Sequence, residues 1–359
     1  MTPTNFLYLA IAAVLSVLFA VVSYASNNQW GGGAASGGKL FPALSDNLGK
    51  VVRIDVQQGD DKISLEKSNA LWGVKDRGGY PVEFAKIRPL IVGLSEASLL
   101  ESKTRRPDRY AVLELEDPAS KGAKSRLVRL FDDKGQQLAE VVIGKKRFES
   151  FAAGPGKSGT YVRRPGDPQT WLADAELQAP VSAKEWVKTS ILSLDSAKFG
   201  TVTVELPGEP PLKIERDGGT PEGKLKFAGF PPGDKKLKDE NAADALARAA
   251  ASIDLDDVRK LDAAPKGDPA GTVKIDGKDQ PALTLTLRKD GAATWLSLTA
   301  TGDGEAKKAA DEITARTKGW EYKIPDSKVT AILKKRADLL EAPPAPVPAG
   351  PAPAPAAKK

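Results

Sequence analysis

Two aromatic and two guanidinium side chains lie close together in the segment GTYVRRPGDPQTWLAD, which runs from Gly159 to Asp174. They are Tyr161, Arg163, Arg164 and Trp171. If strands on either side of the Pro165–Pro168 turn pair, these side chains share one local surface. Such a surface could hold a carboxylate, a phosphate or a glycan, because guanidinium groups bind anions and pair with aromatic faces. The alternative interpretation is that Tyr161 and Trp171 pack into the core while the arginines form surface ion pairs.

A second candidate is the basic run of Lys103, Arg105, Arg106 and Arg109, with residues 145–147 (KKR) later in the chain. Clustered in space, these groups would form a patch that docks an acidic partner or anionic lipid headgroups. The alternative is an ordinary solvated face, because basic and acidic residues are interspersed along most of the chain. For that reason the net charge of +6 does not predict nucleic-acid binding.

The composition excludes much common chemistry, because the chain has no His and no Cys. Disulfides, thiolate metal sites, Cys nucleophiles and His general bases are all absent. The segment from Gly154 to Ser158 (GPGKS) ends like a phosphate-binding loop. However, the first Gly of that motif would fall at Phe151, and Pro155 removes a backbone donor. We therefore predict a protein that is not an enzyme, with no catalytic residue, no cofactor and no metal site.

The run from Phe6 to Ala25 contains 20 residues without a charged side chain. A helix of that length spans about 30 Å, the thickness of a bilayer's hydrocarbon core. This predicts a transmembrane anchor over residues 1–28, followed by a flexible Gly-rich linker over residues 29–39. A cleaved signal peptide is the alternative, but the run exceeds the usual length of a signal core. The expected topology is a single pass through a bacterial inner membrane, with the body in the periplasm.

Between the linker and a Pro/Ala-rich tail at residues 343–359, the pattern of elements occurs twice. Residues 40–195 and 196–342 each show three short strands, a helix, a strand pair, an aromatic strand and a second helix. The predicted helices cover Phe84 to Leu94 and Ala242 to Ile253, then Ser182 to Leu194 and Ser327 to Leu340. Pro89 would fit the first of these only in or near its first turn. The tail predicts a disordered terminus.

Strands outnumber helices, and tight turns join neighbouring strands. The predicted fold class is therefore α+β, with antiparallel sheets and helices packed on one face. Two similar tandem units are expected behind one N-terminal transmembrane helix.

Several segments resemble the bacterial family DUF4340. They are the run from Leu40 to Val56 (LFPALSDNLGKVVRIDV), the Leu71-Trp72 pair, the Tyr80-Pro81 step and the Gly159 to Asp174 motif. The resemblance covers residues 40–194 well and the second unit loosely. It implies a membrane-anchored envelope protein that accompanies gliding-type ABC transporter components, and it transfers no catalytic residue.

We therefore expect a non-catalytic periplasmic accessory subunit of an ABC-type transport or envelope system, acting by protein docking or ligand binding. The expected partners are the membrane and ABC-type transporter subunits. One alternative is an envelope scaffold that binds glycan or lipid headgroups. Another is a carboxylate-dependent hydrolase, although no carboxylate pair stands apart from the general surface charge.

Overall fold

The computed structural model describes residues 37–147, 159–219, 223–277 and 279–341. The predicted anchor, almost all of the Gly-rich linker, the GPGKS segment and the Pro/Ala-rich tail lie outside these residues. No helix in the described ranges has both the length and the apolar character needed to cross a bilayer. The chain divides into two compact units, with unit 1 ending at Lys188 and unit 2 beginning at Thr189.

Unit 1 is built on a nine-stranded sheet in which every neighbouring pair is antiparallel. Its strands are β1 Arg53–Gln58, β2 Asp61–Ser68, β3 Leu71–Val74, β4 Tyr80–Pro81, β5 Leu99–Ser102, β6 Arg126–Phe131, β7 Gln137–Arg147, β8 Gly159–Arg163 and β9 Thr170–Ala173. Their order across the sheet is β4-β3-β2-β1-β6-β7-β8-β9-β5. One α-helix, α1 Phe84–Glu96, and short 3-10 helices at Ser45–Lys50, Lys75–Arg77, Pro107–Leu113 and Ala183–Glu185 complete the unit.

The core of unit 1 follows from the period of two along its strands. Ile54 and Val56 on β1 lie directly opposite Leu65 and Ile63 on β2, and all four are buried. The helix α1 buries Ile87, Leu90, Ile91 and Leu94. The sequence predicted that Pro89 would lie in or near the first turn of this helix. It is the sixth residue of α1 and therefore lies beyond that turn.

Unit 2 is built on an eight-stranded antiparallel sheet and a separate two-stranded sheet. Its strands are β10 Ser190–Ser193, β11 Phe199–Glu205, β12 Leu212–Arg216, β13 Leu225–Phe227, β14 Ser252–Asp254, β15 Asp257–Lys260, β16 Asp268–Gly277, β17 Ala282–Asp290, β18 Ala293–Thr301 and β19 Trp320–Ile324. Its α-helices are α2 Ala242–Ala251, α3 Glu305–Thr317, α4 Asp326–Ile332 and α5 Arg336–Leu339. Short 3-10 helices occur at Ser196–Lys198 and Asp217–Gly219.

The large sheet of unit 2 has the order β13-β12-β11-β16-β17-β18-β19-β15, and β10 pairs with β14. The strands of this sheet occur in the same order as strands β3, β2, β1, β6, β7, β8, β9 and β5 of unit 1. The short edge strand β4 of unit 1 is the exception. The lead segments also agree, because residues 37–40 pair with residues 97–99 much as β10 pairs with β14. One difference is α3, which joins β18 to β19 where a short turn joins β8 to β9.

Several predictions about local elements are wrong. The predicted helix from Ser182 to Leu194 is a 3-10 turn followed by β10, and the one from Ser327 to Leu340 is broken into α4 and α5. Ile253 belongs to β14, because α2 ends two residues earlier. The strand β16 and the helix α3 were not predicted. The α+β class and the antiparallel sheets are confirmed.

Candidate functional site

The hairpin that carries the first candidate site forms across the predicted turn. Strand β8 pairs with β9 without a register shift, so that Tyr161 lies opposite Leu172, Val162 opposite Trp171, and Arg163 opposite Thr170. Because side chains alternate between the two faces of a sheet, this register decides which of the four candidate residues meet.

Tyr161 and Arg163 lie on one face, under the 3-10 segment Pro107–Leu113. Tyr161 packs against a buried cluster of Tyr110, Leu115 and Val142. The guanidinium carbon of Arg163 lies 4.8 Å from the centre of the Tyr110 ring, and its Nε donates to the Leu115 carbonyl at 3.4 Å. The hydroxyl of Tyr110 in turn donates to the Pro168 carbonyl at 2.7 Å. These contacts hold the hairpin against the segment that covers it.

Trp171 lies on the opposite face, where the first described residues of the chain cover it. A Cβ atom at Gly37 would stand 2.9 Å from the Trp171 ring, so the backbone passes directly against the indole. Arg164 reaches the same segment, because its Nη2 donates to the Leu40 carbonyl at 2.5 Å and lies 3.4 Å from the Lys39 carbonyl. Both residues fix the point at which the linker joins unit 1.

The four candidate residues therefore do not form one surface. The hairpin separates them into two pairs, and each pair contacts a different segment of the same chain. Neither of the two interpretations drawn from sequence describes the arginines, because both donate to backbone carbonyls rather than to carboxylates.

In the second candidate site, the basic run that begins at Lys103 and the later basic segment at residues 145–147 both contact the carboxylate of Glu101. Glu101 on β5 accepts from Lys103 and also pairs with Arg147 at 3.1 Å. The hydrogen bond from Lys103 lowers the pKa of Glu101 below its ordinary value against the opposing effect of burial, and the charge of Arg147 adds to the decrease. Lys146 instead pairs with Glu176 at 3.2 Å. The two basic segments thus touch, but they do not merge into one patch.

Sequence reasoning missed a depression of about 370 Å³ on the polar face of the unit 1 sheet. Arg53, Asp55 and Arg129 line it together with Lys62 and Ser64. The Ser64 hydroxyl donates to Asp55 at 2.7 Å, and the Arg53 guanidinium stacks 4.0 Å from the Phe131 ring centre. The Nε of Arg53 is buried and makes no hydrogen bond among the described residues, but it forms an ion pair with the Asp55 carboxylate at 3.4 Å. The sequence feature that corresponds to this depression is the alternation of polar residues on β1 and β2. The same alternation is equally typical of an ordinary solvated sheet face.

Unit 2 contains an arginine cluster that sequence reasoning also missed. Arg259 on the edge strand β15 pairs with buried Glu321 at 2.8 Å and with Asp290 at 2.6 Å. Its guanidinium carbon lies 4.0 Å from the centre of the Trp295 ring. Burial lowers the pKa of Arg259, but hydrogen bonds to Asp290 and Glu321 outweigh it and raise the pKa above its ordinary value. The cluster ties β15 to β17, β18 and β19.

Neither unit brings together a recognisable metal centre within the described ranges. There, no group of three or more acidic residues is arranged to hold a metal ion. Asp108 and Asp217, like Glu101, have pKa values lowered by hydrogen bonds from neighbouring cations, which are Arg106 and Lys226 respectively. Each of these three carboxyl groups is thus held in its charged form, as in a structural ion pair.

Comparison with known proteins supports the resemblance seen in the sequence. A family model described as Domain of unknown function (DUF4340) matches residues 72–270. The matched range begins in β3 and continues through unit 1 into β16 of unit 2. No curated protein and no solved structure matches the chain.

Proposed function

Because the chain belongs to the DUF4340 family, which is defined by a domain of unknown function, we propose its role from its own residues. It is a non-catalytic accessory subunit of an ABC-type transport or envelope system, held in the bacterial inner membrane by one N-terminal helix. Its body lies in the periplasm and acts by docking a transporter subunit or by binding a ligand.

The observation that carries this proposal is the placement of the uncharged run from Phe6 to Ala25 ahead of the body. Only eleven residues separate Ala25 from Gly37, the first described residue, which is hydrogen-bonded to the Leu99 carbonyl. The contacts made by Arg164 and Trp171 attach that entry point firmly to the sheet. A helix in the bilayer would therefore hold a folded body close to the membrane surface.

The absence of catalysis is supported by the chemistry of the side chains. The chain has no His or Cys to act as a general base or nucleophile near neutral pH. A carboxylic general acid needs a raised pKa, whereas the clear shifts at Glu101, Asp108 and Asp217 are all decreases. We expect the body to act by stoichiometric binding rather than by turnover.

The proposal includes a tandem architecture, in which units 1 and 2 are two copies of one α+β module. The shared strand order of the two large sheets supports it. So does the equivalent placement of Trp171 and Tyr322, which face Val162 and Leu296 across corresponding strand pairs. A second module would double the sheet surface available for docking.

The depression beside Arg53 is the feature that favours ligand binding. Its lining contains four basic side chains, Arg53, Lys62, Lys75 and Arg129, and two carboxylates, Asp55 and Asp76, and this excess of positive charge favours an anionic group. The alternative of a glycan scaffold is weakened, because the aromatic and arginine residues that suggested it lie on two faces of the hairpin.

The test is affinity purification of the tagged full-length chain from detergent-solubilised membranes, followed by mass spectrometry. We expect ABC-type transporter subunits in stoichiometric amounts. The control is the same chain with residues 1–28 replaced by a cleaved signal, which should be released from the membrane. Recovery of the full-length chain in the soluble fraction, or without any transporter subunit, would contradict the proposal.

A further inference from the structure

The hydrogen bonds of residues 37–40, the first described residues, define the direction of the chain at this point. Gly37 donates to the Leu99 carbonyl at 2.9 Å, Leu99 donates to the Gly38 carbonyl at 2.8 Å, and Leu40 donates to the Ala97 carbonyl at 2.7 Å. Lys39 and Ser98 form an antiparallel bridge. Traced backwards from Leu40 to Gly37, the chain therefore runs in the same direction as β5, toward Ser102 and the residues that follow it.

The residues that follow β5 are the basic run. We call the segment from Lys103 to Val112 the basic corner. It contains four basic residues, Lys103, Arg105, Arg106 and Arg109, and one acidic residue, Asp108, so its net charge is +3 (4 − 1). Arg105, Arg106 and Arg109 are exposed, whereas the Lys103 side chain is 27% exposed. Val112 is 60% exposed, one of the largest exposures of an apolar side chain in the described residues.

The basic corner is held in place by the sheet. Lys103 donates its amide to the Thr170 carbonyl at 2.8 Å, and the Thr104 amide donates to the Thr170 hydroxyl at 2.9 Å. Thr170 is fully buried at the start of β9. On the far side of the segment, Tyr110 is buried against Leu115 and Val142. The charged side chains thus project from a fixed backbone, which lowers the entropic cost of binding a surface.

The internal ion pairs leave positive charge unneutralised. Asp108 is shared by Arg106 at 2.8 Å and Arg109 at 3.8 Å, and Lys103 pairs with Glu101. Arg105 has no ion pair among the described residues, and Glu101 already pairs with Arg147 as well. An exposed basic segment with an apolar side chain at its end is the composition that favours the interface of an anionic bilayer.

The proposed anchor places such a bilayer within reach. Eleven residues between Ala25 and Gly37 span at most about 40 Å, and a Gly-rich coil of that length averages about 18 Å between its ends. Attraction between charges extends about 8 Å at physiological salt, so the linker permits contact but does not enforce it.

We propose that the basic corner rests on the anionic headgroups of the membrane that anchors the chain, which orients unit 1 with this end of β5 toward the bilayer. This proposal rests on the proposed single-pass anchor, and it assigns the basic corner to lipid rather than to an acidic protein partner.

The experiment uses the full-length chain in liposomes, with a fluorophore attached to one introduced cysteine. Because the natural chain has no Cys, each label is unique. The reporter is Ala111→Cys in the basic corner, and the reference is Ser68→Cys at the end of β2, near the other edge of the sheet; both positions are exposed. Quenching by a lipid with a nitroxide headgroup is compared between zwitterionic vesicles and vesicles that contain 30% phosphatidylglycerol.

We expect strong quenching at residue 111 in the anionic vesicles only, and weak quenching at residue 68 in both. Each basic residue near an anionic surface contributes roughly a five-fold factor. Arg105→Glu with Arg109→Glu should therefore reduce the docked-to-undocked ratio by at least about 25-fold. The matched pair Lys67→Glu with Lys134→Glu, both exposed and outside the basic corner, should leave the quenching at residue 111 unchanged.

The outcomes separate this inference from the proposed function. If the chain stays in the alkaline-washed membrane pellet but residue 111 is no more quenched than residue 68, the docking inference is wrong while the anchor stands. Equal quenching in both vesicle types, or equal effects of the two double variants, would also overturn it. If the chain leaves the membrane on alkaline washing, the anchor itself is wrong and both proposals fail.

Discussion

The arginine cluster of unit 2 provides the sharpest test of the physical argument. Replacing Arg259 by Met keeps most of the aliphatic stem but removes the charge that faces Glu321. The Glu321 side chain is only 3% exposed, so its carboxylate would be left in the sheet without a counter-ion. Breaking a buried ion pair in this way costs about 3–5 kcal/mol. The loss of the contact with Trp295 adds to this cost.

The assay is peptide-level hydrogen exchange of the full-length chain in increasing urea, followed in β15 and β19. This measurement reports unit 2 alone, whereas a single global transition would not describe a chain with two units. The matched control is Lys274→Met, which removes a pair between Lys274 and Glu205 whose side chains are 49% and 40% exposed. It should cost no more than about 1 kcal/mol.

The double variant Arg259→Met with Glu321→Gln tests whether the loss of stability comes from the unpaired charge of Glu321. Removing both partners should recover at least about 2 kcal/mol, because no uncompensated carboxylate remains. A cost for Arg259→Met as small as that of Lys274→Met would refute the reasoning. So would a double variant that is no more stable than the single one.

Three further predictions concern unit 1, and each is measured by urea denaturation of the full-length chain with exchange followed in that unit. Ala70→Gly should stabilise by about 0.5–1 kcal/mol, because Ala70 has a φ of 66° in the β2–β3 turn, where a Cβ is disfavoured; unchanged stability would refute this. Gly144→Ala should destabilise by at least about 2 kcal/mol, because its Cβ would lie 2.3 Å from the Leu113 carbonyl oxygen. The matched Gly49→Ala, with no atom within 4 Å, should change stability by less than about 0.5 kcal/mol. Glu101→Gln should lower stability at neutral pH, because a carboxyl with a lowered pKa stabilises the fold above its ordinary value of 4.5 and loses that effect as pH falls through the lowered value. The natural chain and this variant should therefore converge in acid, and a difference that persists at low pH would contradict the assignment.

Alternation of apolar and polar residues was enough to locate most strands of both sheets. Val128 and Leu130 on β6 and Val141 and Ile143 on β7 lie where the pattern places them, and the turn that begins at Asp132 joins these strands. Helices were harder to predict. The helix α3 buries only Ala306, Ala310, Ile313 and Thr317, a face too weakly apolar to stand out from a polar loop.

A short apolar run also does not distinguish a strand from a helix. Residues 190–193 were predicted as helix, but Ile191 and Leu192 are buried in the strand β10, in which Leu192 lies opposite Ile253 of β14. That choice depends on a partner strand about 60 residues away, which local spacing does not contain.

The sequence by itself determined the excluded chemistries, the uncharged run from Phe6 to Ala25, the antiparallel α+β class and the β8–β9 hairpin. It did so because composition and local periodicity are properties of the chain alone. Only the tertiary structure decided that Trp171 and Tyr161 lie on opposite faces, because a slip of one residue in the pairing would have put them together. The direction of the chain at Gly37, which points toward the basic corner, likewise follows from hydrogen bonds to residues 97–99 that no local pattern encodes.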